Sequence, residues 1–386
     1  MSPFLRTAAI TVCFWFLIPA FLLSSSSPQV ELKRVPDGGI QPQTAVDQDG
    51  TVHLVYFKGD PAEGDLFYVR SKNGTSFSDP IRVNSVSGTA IALGNIRGAR
   101  ISVGRRGCVY VVWNGSRKTG DPAQGRNPML YTRLNEAGTA FEPERNLIHI
   151  AYGLDGGGGV AADQRGHVYV FWHAPIQGKQ GEDYRRVWMT RSDDEGKTFQ
   201  PEKIAWNEPT GACGCCSLNA YAGPSGTVYV LFRSAREKVH RDMYLLESND
   251  HGATFRGSEI SKWNVGYCVM SSDAFAAGDN ITFAAWETEK QVHLGSIKPG
   301  SGSVSDSSVS KAETNAKYPS LSVNQDGLLL VSWTERMSWK HGGSVHWQIF
   351  DSKGQRLGEP SSAEGVPAFS LVATYPQKNG NFVVLY

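Results

Sequence analysis

The chain has 386 residues, with 38 Lys and Arg against 37 Asp and Glu and a formal net charge of +1. This balance, in a sequence without a long basic run, argues against nucleic acid and against an anionic membrane surface as partners. The 42 glycines, 10 Trp, 14 Tyr and 17 Phe are typical of many short strands joined by tight turns.

The first 29 residues have the pattern of an export signal. Arg6 precedes a 16-residue apolar run over 8–23, and four serines and Pro28 follow. The run is shorter than the roughly 20 residues that span a bilayer, and no lipobox surrounds Cys13. We predict an export signal over 1–29 and a single domain over 30–386, periplasmic or secreted and monomeric. An uncleaved N-terminal anchor is the alternative.

One sequence pattern recurs along the domain: a turn, a glycine or asparagine, five mostly apolar residues and an aromatic residue. Successive aromatic residues are 47 to 60 positions apart, which is the period of the blades in a β-propeller. The aromatic residues that end the seven hairpins are Tyr56, Trp113, Trp172, Phe232, Trp286, Trp333 and Tyr386.

Two further strand-like segments separate successive hairpins, so each repeat predicts a four-stranded blade. The last hairpin ends at Tyr386 and lacks outer strands, whereas residues 30–35 (VELKRV) look like the outer strand of a blade. We therefore predict an all-β propeller of seven blades, in which the N-terminal strand completes the last blade and closes the ring. Six blades are the alternative, if the last hairpin joins an existing blade.

Two turns, SDDEGKTF at 192–199 and SNDHGATF at 248–255, match the Asp-box pattern S-x-D-x-G-x-x-F/W, and degenerate versions stand at 71–77 and 135–141. In these turns the chain resembles the sialidase-like, BNR-repeat propellers over essentially the whole mature domain. It also resembles a bacterial subset with a cysteine cluster before one inner strand. The Asp-box indicates the fold and not catalysis, because its carboxylate and glycine shape a hairpin turn.

The resemblance implies what an exo-sialidase would need. Such an enzyme holds the substrate carboxylate with three arginines, the first within an F/Y-R-I-P motif. The matching stretch here, 38–46, has Gln41 in that place. The Tyr–Glu nucleophile pair and the Asp acid/base of the family have no recognisable local motif in this chain, so the resemblance supports the fold more than the activity.

Five cysteines follow the predicted signal, and an odd number cannot pair completely within one chain. Cys108 lies in the apolar strand GCVYVVW and is predicted to be an inert core residue. When the hairpins are aligned on their turn residues, Cys216 and Met270 occupy the same position, ten residues before Gly226 and Asn280. The cluster predicted at the mouth of the central channel consists of Cys213, Cys215, Cys216, Cys268 and Met270.

Three or four thiolates with one thioether form a soft ligand set. It suits Cu(I) above all, and Zn(II) if Met270 is a bystander. Two other interpretations stay open, because Cys213 and Cys216 have C-x-x-C spacing. One is a structural disulfide, with Cys213–Cys216 and Cys216–Cys268 as candidate pairs. The other is a catalytic dithiol or a single nucleophile.

Polar residues of other blades are predicted to face the same mouth. Arg97 occupies the position of Cys216 in its own blade, and Arg100 follows three residues later. Glu287 directly follows the inner hairpin of the Cys268 blade, and it is the first choice for an acid/base group or for a group that positions the ligands. The long connections after the aromatic residues add a polar rim, which includes His173, Arg233, His240, Arg241, Asp242, Met337 and His341.

Three functions compete on this evidence. The first is an exported propeller with a soft-metal centre, copper before zinc, and a redox or metal-handling role. The second is a glycoside hydrolase of the exo-sialidase type, in which Arg97, Arg100 and Arg233 clamp a substrate carboxylate. The third is a non-catalytic propeller that binds a carbohydrate or a protein and uses the cysteines only to stabilise a loop. A small molecule or glycan in the central pocket is the ligand to test.

Overall fold

The computed structural model describes Met1, residues 28–120 and residues 127–386, so nearly all of the predicted export signal lies outside the described residues. The described chain forms seven sheets around a central channel, six of four strands and one of three. The innermost strands contact one another in a closed ring. The prediction of an all-β, seven-bladed propeller is confirmed, and the six-bladed alternative is wrong.

In six blades the strands lie in chain order from the channel outward, and in the seventh the N-terminal strand is the outermost. Blade I consists of β2 (Ile40–Val46), β3 (Val52–Asp60), β4 (Glu63–Ser71) and β5 (Ile81–Arg82). Blade II consists of β6 (Arg100–Val103), β7 (Val109–Asn114), β8 (Met129–Arg133) and β9 (Arg145–Asn146). Blade III consists of β10 (Gly159–Ala162), β11 (Val168–Pro175), β12 (Arg185–Ser192) and β13 (Lys203–Ile204). Blade IV consists of β14 (Asn219–Ala222), β15 (Val228–Arg233), β16 (Met243–Ser248) and β17 (Arg256–Ser261).

The remaining blades complete the ring. Blade V consists of β18 (Asp273–Gly278), β19 (Ile281–Thr288), β20 (Gln291–Ile297) and β21 (Ser307–Ser308). Blade VI consists of β22 (Lys317–Val323), β23 (Leu329–Glu335), β24 (Gly343–Phe350) and β25 (Arg356–Val366). Blade VII consists of β26 (Ala373–Pro376), β27 (Phe382–Leu385) and β1 (Val30–Lys33). Short 3₁₀ turns lie at Pro36–Gly38, Arg105–Gly107, Glu182–Tyr184 and Ala312–Thr314.

The inner hairpin of every blade turns at a residue in the left-handed backbone region, which glycine and asparagine tolerate best. Asn280, with a φ of 54°, occupies in blade V the place that glycine occupies elsewhere. Residues at the same position in the alignment of the seven hairpins therefore occupy equivalent positions in the seven blades. The turn residues are Gly50, Gly107, Gly166, Gly226, Asn280, Gly327 and Gly380.

The hydrophobic core is divided among the blade interfaces. Seven apolar clusters each join two neighbouring blades, because the two faces of every sheet pack against the sheets beside it. The aromatic residue at the end of six of the seven inner hairpins is almost fully buried in this packing, as for Trp172 and Trp286. An eighth, smaller cluster lies at the channel mouth and contains cysteines.

The N-terminal strand closes the ring, as predicted. β1 runs parallel to β27, with Val30 opposite Phe382 and Lys33 opposite Leu385. The two ends of the domain therefore share one sheet, and neither of them leaves an inner strand edge unpaired. In the described part of the chain no helix is long and apolar enough to cross a membrane.

The turns at 192–199 and 248–255 have the same internal bonding. The hydroxyl of Ser192 accepts the amide of Gly196 at 2.9 Å, and Asp194 accepts the amide and hydroxyl of Thr198 at 2.8 and 2.6 Å. The second turn repeats these bonds with distances of 2.8, 2.9 and 2.6 Å. Both turns connect the third and fourth strands of a blade, at the end of the propeller opposite the cysteines.

Closure of the ring through β1 predicts a measurable loss of stability. Leu32 packs into the apolar cluster between blades VI and VII, so Leu32→Asp should lower the free energy of unfolding by about 2 kcal/mol or more. Glu31→Gln on the same strand removes an exposed ion pair with Lys33 and keeps a side-chain oxygen that can accept from Gln377, so it should cost less than about 1 kcal/mol. Chemical denaturation compares the two variants, and equal losses would contradict the role of β1 in closure.

Candidate functional site

The cysteine cluster lies where two neighbouring chain segments enter the propeller. One segment leads into β14 and the other into β18, the innermost strands of blades IV and V. The two segments run side by side, because the amide of Ser217 donates to the carbonyl oxygen of Ser271 at 3.0 Å. The structure therefore brings together, from the two segments, Cys213, Cys215, Cys216 and Cys268.

Three sulfur atoms lie in mutual proximity. The Sγ atoms of Cys213, Cys215 and Cys216 are all within 4.8 Å of one another. Cys213 Sγ is 2.9 Å from Cys216 Sγ and 3.4 Å from Cys215 Sγ. Cys213 and Cys216 are each 1% exposed, in an apolar pocket formed with Trp263 and Val269. The three sulfurs are close enough to bind one metal ion together, and two of them are almost completely shielded from solvent.

One disulfide crosses from blade IV to blade V. It joins Cys215 to Cys268, whose Cα atoms are 6.6 Å apart, while Cys213 and Cys216 are free thiols. The candidate pairings Cys213–Cys216 and Cys216–Cys268 are therefore wrong for this state of the protein. The reason is burial: Cys215 is half-buried and Cys268 is exposed, so these two sulfurs meet on the outer side of the loop.

A hydrogen bond joins the two free thiols and shifts their pKa values in opposite directions. Burial raises the pKa of Cys216, but the hydrogen bond with Cys213, the Arg233 guanidinium and the bonds from Ser271 outweigh it and bring that pKa below its ordinary value. The hydrogen bond with Cys216, together with burial, raises the pKa of Cys213. Ser271 Oγ lies 3.7 Å from Cys216 Sγ as a donor. Of the two thiols, Cys216 therefore loses its proton more readily than Cys213.

Arg233, at the end of β15, is the cation behind the sulfur atoms. It is 2% exposed, and its Nε donates to Ser271 Oγ at 2.9 Å. Its other nitrogens donate to the carbonyl oxygens of Arg241, at 2.6 Å, and of Glu287. The guanidinium lies 5.1 Å from the ring centre of Trp263, a cation–π arrangement. All of these groups hold Arg233 beside Cys216.

Glu287 lies one layer further from the sulfurs. Its side chain is 1% exposed and forms an ion pair with Lys317 at 3.3 Å. Burial raises the pKa of Glu287, although Lys317 and Arg233 oppose the shift. Lys317 also donates to the carbonyl oxygen of Val269, beside the cysteines. The described contacts of the Glu287 carboxylate include no cysteine, and its role as an acid/base or a positioning group stays a prediction.

The three arginines expected to clamp a substrate carboxylate are occupied by other protein groups. Arg97 pairs with Asp155 at 2.6 Å and also donates to backbone carbonyls. Arg100 is 6% exposed and donates to Gln43 Oε1 at 2.8 Å and to the hydroxyl of Ser217. Gln41, in the place of the family's first arginine, is buried and donates to two carbonyl oxygens. The guanidiniums therefore brace loops in this structure.

The central channel narrows to a small polar cavity directly behind the cluster. Its volume is about 80 Å³, far below the roughly 300–1,000 Å³ of typical small-molecule sites, so the channel itself does not offer room for a glycan. Asp273 lines this cavity with both carboxylate oxygens unpaired among the described residues. Burial raises the pKa of Asp273 to about 8, against the lowering effect of Arg100 and Arg233.

Met270 reaches the channel mouth but not, in the described contacts, the sulfur atoms. It is the position equivalent to Cys216, three residues before its inner strand. Its backbone has a φ of 49°, and its methyl group lies beside Gly94 and the Arg97 side chain. The thioether as a ligand therefore stays a prediction.

His173 holds the cysteine loop from blade III, a role that the sequence alone did not suggest. Its Nε2 donates to the carbonyl oxygen of Cys216 at 3.0 Å, which leaves Nδ1 as the acceptor for Arg185 at 3.3 Å. Burial and the charge of Arg185 lower the pKa of His173 to about 4. The imidazole is therefore neutral at physiological pH. The sequence predicted that His173 lies in the polar rim, but it did not predict the hydrogen bond with the Cys216 carbonyl oxygen.

A second group of potential metal ligands, Asp163, His167 and His251, lies at the opposite end of the propeller. Asp163 already accepts His167 Nδ1 at 2.6 Å and caps its own hairpin turn. The guanidinium of Arg165 lies 2.8 Å from His251 Nε2. Because that cation occupies the group, the cysteine cluster is the better candidate for a metal site.

Several solved structures share this fold. A Hadza microbial sialidase matches with a TM-score of 0.52 at 13% identity, over 82% of this chain and 69% of that one. An α-L-arabinanase from Penicillium chrysogenum matches with 0.51 at 14%, over 85% and 99%. A Trypanosoma rangeli sialidase matches with 0.50 at 13%, over 81% and 57%. No family model and no curated protein matches the chain. At such identities the likeness shows a sialidase-like propeller fold alone.

Gly156 offers a direct test of how the cysteine loop is held. A Cβ on Gly156 would lie 2.2 Å from the carbonyl oxygen of Cys216 and 2.8 Å from that of Gly214. Gly156→Ala should therefore displace the loop, cost about 1–3 kcal/mol and raise the reactivity of Cys213 and Cys216 toward a thiol reagent several-fold. Gly266→Ala, where a Cβ meets nothing within 4 Å, is the matched control. Unchanged thiol reactivity in Gly156→Ala would contradict this account.

The depressed pKa of His173 predicts a pH dependence of stability. The unfolded imidazole takes up a proton below about 6.5, whereas the folded one does so only near 4. The contribution of His173 is therefore complete above pH 6.5 and is lost as the pH falls toward 4, by about 3 kcal/mol. His173→Gln should flatten the curve of unfolding free energy against pH over this window, while the exposed His341→Gln should leave its slope unchanged. Parallel curves for His173→Gln and wild type would refute the prediction.

Proposed function

We propose that this protein is an exported, sialidase-like BNR-repeat propeller that binds a soft metal ion, Cu(I) before Zn(II), at the mouth of its channel. The observation that carries the proposal is the convergence of the Cys213, Cys215 and Cys216 sulfurs within 4.8 Å of one another. The paired Ser–Asp turns at 192–199 and 248–255 support the family, and the apolar run at 8–23 supports export.

The donor set fits a thiophilic ion. Thiolates select Cu(I) and Zn(II) over hard cations, and the lowered pKa of Cys216 favours formation of one such thiolate. Trp263 and Val269 cover the cluster with apolar surface. The charge of a bound ion would therefore have to be compensated by its ligands and by nearby charged groups. Metal binding through three sulfurs requires the Cys215–Cys268 disulfide to be reduced, because a disulfide sulfur is not a thiolate ligand.

Ligand number distinguishes the two metals. Cu(I) is satisfied by soft ligands of the kind that Cys213, Cys215 and Cys216 provide. Zn(II) in a structural site takes four ligands, which would need Cys268 as well, and Cys268 is within reach because it is bonded to Cys215 in the oxidised form. The chemistry that a bound ion would supply here is storage and transfer of a soft cation, or a one-electron step in the case of copper.

Metal analysis of reduced protein tests the proposal. Protein purified anaerobically with a thiol reductant should hold about one Cu(I) per chain in competition with a Cu(I) chelator, and Cys216→Ser and Cys213→Ser should each weaken retention at least tenfold. Cys108→Ser is the matched control, because Cys108 lies on another blade at the far end of the propeller. Absence of stoichiometric copper and zinc, or undiminished retention in Cys216→Ser, would overturn it. Circular dichroism establishes that each variant is folded.

The exo-sialidase alternative is supported by the fold, since two of the matching structures are named sialidases. The bonding of Arg97, Arg100 and Arg233 to protein acceptors and the small channel cavity weigh against it. A fluorogenic sialoside and an arabinofuranoside give the test. Turnover that is lost in Arg100→Met and kept in Cys216→Ser would favour a glycosidase over the metal centre.

A further inference from the structure

A dithiol and a disulfide lie in contact within the same cluster. Cys213 Sγ is 2.9 Å from Cys216 Sγ, and on its other side it is 3.4 Å from Cys215 Sγ, which is bonded to Cys268. We propose that these four cysteines carry out thiol–disulfide exchange, which moves one disulfide between the outer pair Cys215–Cys268 and the buried pair Cys213–Cys216. The exchange uses the sulfurs of the proposed metal site but needs no metal, so each proposal can fail without the other.

Access to solvent divides the four sulfurs into two pairs. Cys268 is exposed and Cys215 is half-buried, whereas Cys213 and Cys216 are 1% exposed beneath Trp263. An external thiol therefore meets the outer disulfide and not the buried dithiol. Because Cys213 touches Cys215, the outer disulfide is the route by which electrons reach or leave the buried pair. The external reactant would be a thiol or dithiol, small or on a protein surface.

The first step forms a mixed disulfide. The hydrogen bond places the proton on Cys216, whose Sγ donates to Cys213 Sγ at 2.9 Å, and the Cys213 thiolate then attacks Cys215 Sγ. The Cys213–Cys215 bond forms, the Cys215–Cys268 bond breaks, and Cys268 leaves as a thiolate. Cys268 is exposed, so water solvates the leaving group and supplies its proton.

The second step resolves the mixed disulfide. Cys216 attacks Cys213 Sγ and gives its proton to the departing Cys215 sulfur, so that the Cys213–Cys216 bond forms, the Cys213–Cys215 bond breaks and Cys215 is released as a thiol. Two electrons have then moved from the buried pair, which is oxidised, to the outer pair, which is reduced. The resulting Cys213–Cys216 disulfide has the C-x-x-C spacing of redox pairs, and a turn with the Cys216 amide 3.3 Å from the Cys213 carbonyl oxygen already holds it closed.

The surroundings explain why the disulfide rests on the outer pair. Ser271 Oγ donates toward Cys216 Sγ, and Arg233 donates to that hydroxyl. These contacts favour the reduced pair, and stabilisation of a reduced form makes a pair the stronger oxidant. The buried pair is therefore favoured as the dithiol, as the structure shows. Ser271→Ala removes the hydroxyl donor 3.7 Å from Cys216 Sγ and should move the disulfide toward Cys213–Cys216 several-fold.

Trapping of Cys268 tests the exchange. Wild type carrying the single Cys215–Cys268 disulfide is incubated with iodoacetamide and metal chelators at pH 8, without reductant, and is analysed by peptide mass spectrometry. Cys268 can be alkylated only when exchange has released it. We expect alkylated Cys268 with a Cys213–Cys216 disulfide in wild type, and with a Cys213–Cys215 disulfide in Cys216→Ser.

The double variant Cys213→Ser/Cys216→Ser is the matched control, because it keeps the outer disulfide and lacks both attacking thiols. Alkylation of Cys268 should be at least tenfold faster in wild type than in this control. Equal rates in the two proteins, or labelled Cys268 without either predicted disulfide, would overturn the proposal. If circular dichroism shows that Cys216→Ser does not fold, two measurements still test the proposal. They are the disulfide found in alkylated wild type and the ratio of the Cys213–Cys216 to the Cys215–Cys268 disulfide in Ser271→Ala compared with wild type. Exchange without metal retention would leave this inference standing and remove only the proposed metal site.

Discussion

The buried guanidinium of Arg233 is the interaction on which the site depends. A charge with 2% of its surface exposed is costly unless hydrogen bonds and opposite charge compensate it. Arg233 obtains acceptors from the hydroxyl of Ser271 and the carbonyl of Glu287, so one cation ties the end of β15 to the entrance of blade V. Its own carbonyl oxygen accepts the amide of Cys213 at 2.9 Å. The geometry of the sulfurs therefore follows from how this cation is satisfied.

The propeller supplies seven equivalent positions, and chemistry appears where their side chains differ. Each position lies three residues before the regular pairing of an innermost strand begins. Because the blades are related by rotation about the channel, residues some fifty positions apart in sequence become neighbours there. The residues at the seven positions are Ile40, Arg97, Gly156, Cys216, Met270, Lys317 and Ser370. Only one adjacent pair in this ring, in blades IV and V, carries sulfur.

This regularity explains what could be predicted from sequence. The blade number, the ring closure by β1 and the meeting of Cys216 with the Cys268 segment all follow from strand registers that repeat in every blade. The disulfide partner did not follow, because it depends on which sulfurs turn outward within a four-residue loop. The contacts of Met270 were equally hidden, since a φ of 49° at that residue alters the course of the loop. The carbonyl acceptors of His173 and Arg233 lie in irregular segments, where no periodicity reports them.

The charge on the cysteine cluster affects the pKa of Asp273 in the channel. Burial raises the pKa of Asp273, Arg100 and Arg233 lower it, and the negative charge of Cys216 raises it again. A disulfide between Cys213 and Cys216 removes that negative charge, so the pKa of Asp273 falls and its carboxyl group is ionised more readily beside the two arginines. Arg233 acts on both the Cys216 thiol and the Asp273 carboxyl group, so the cysteine cluster and the channel share one cation.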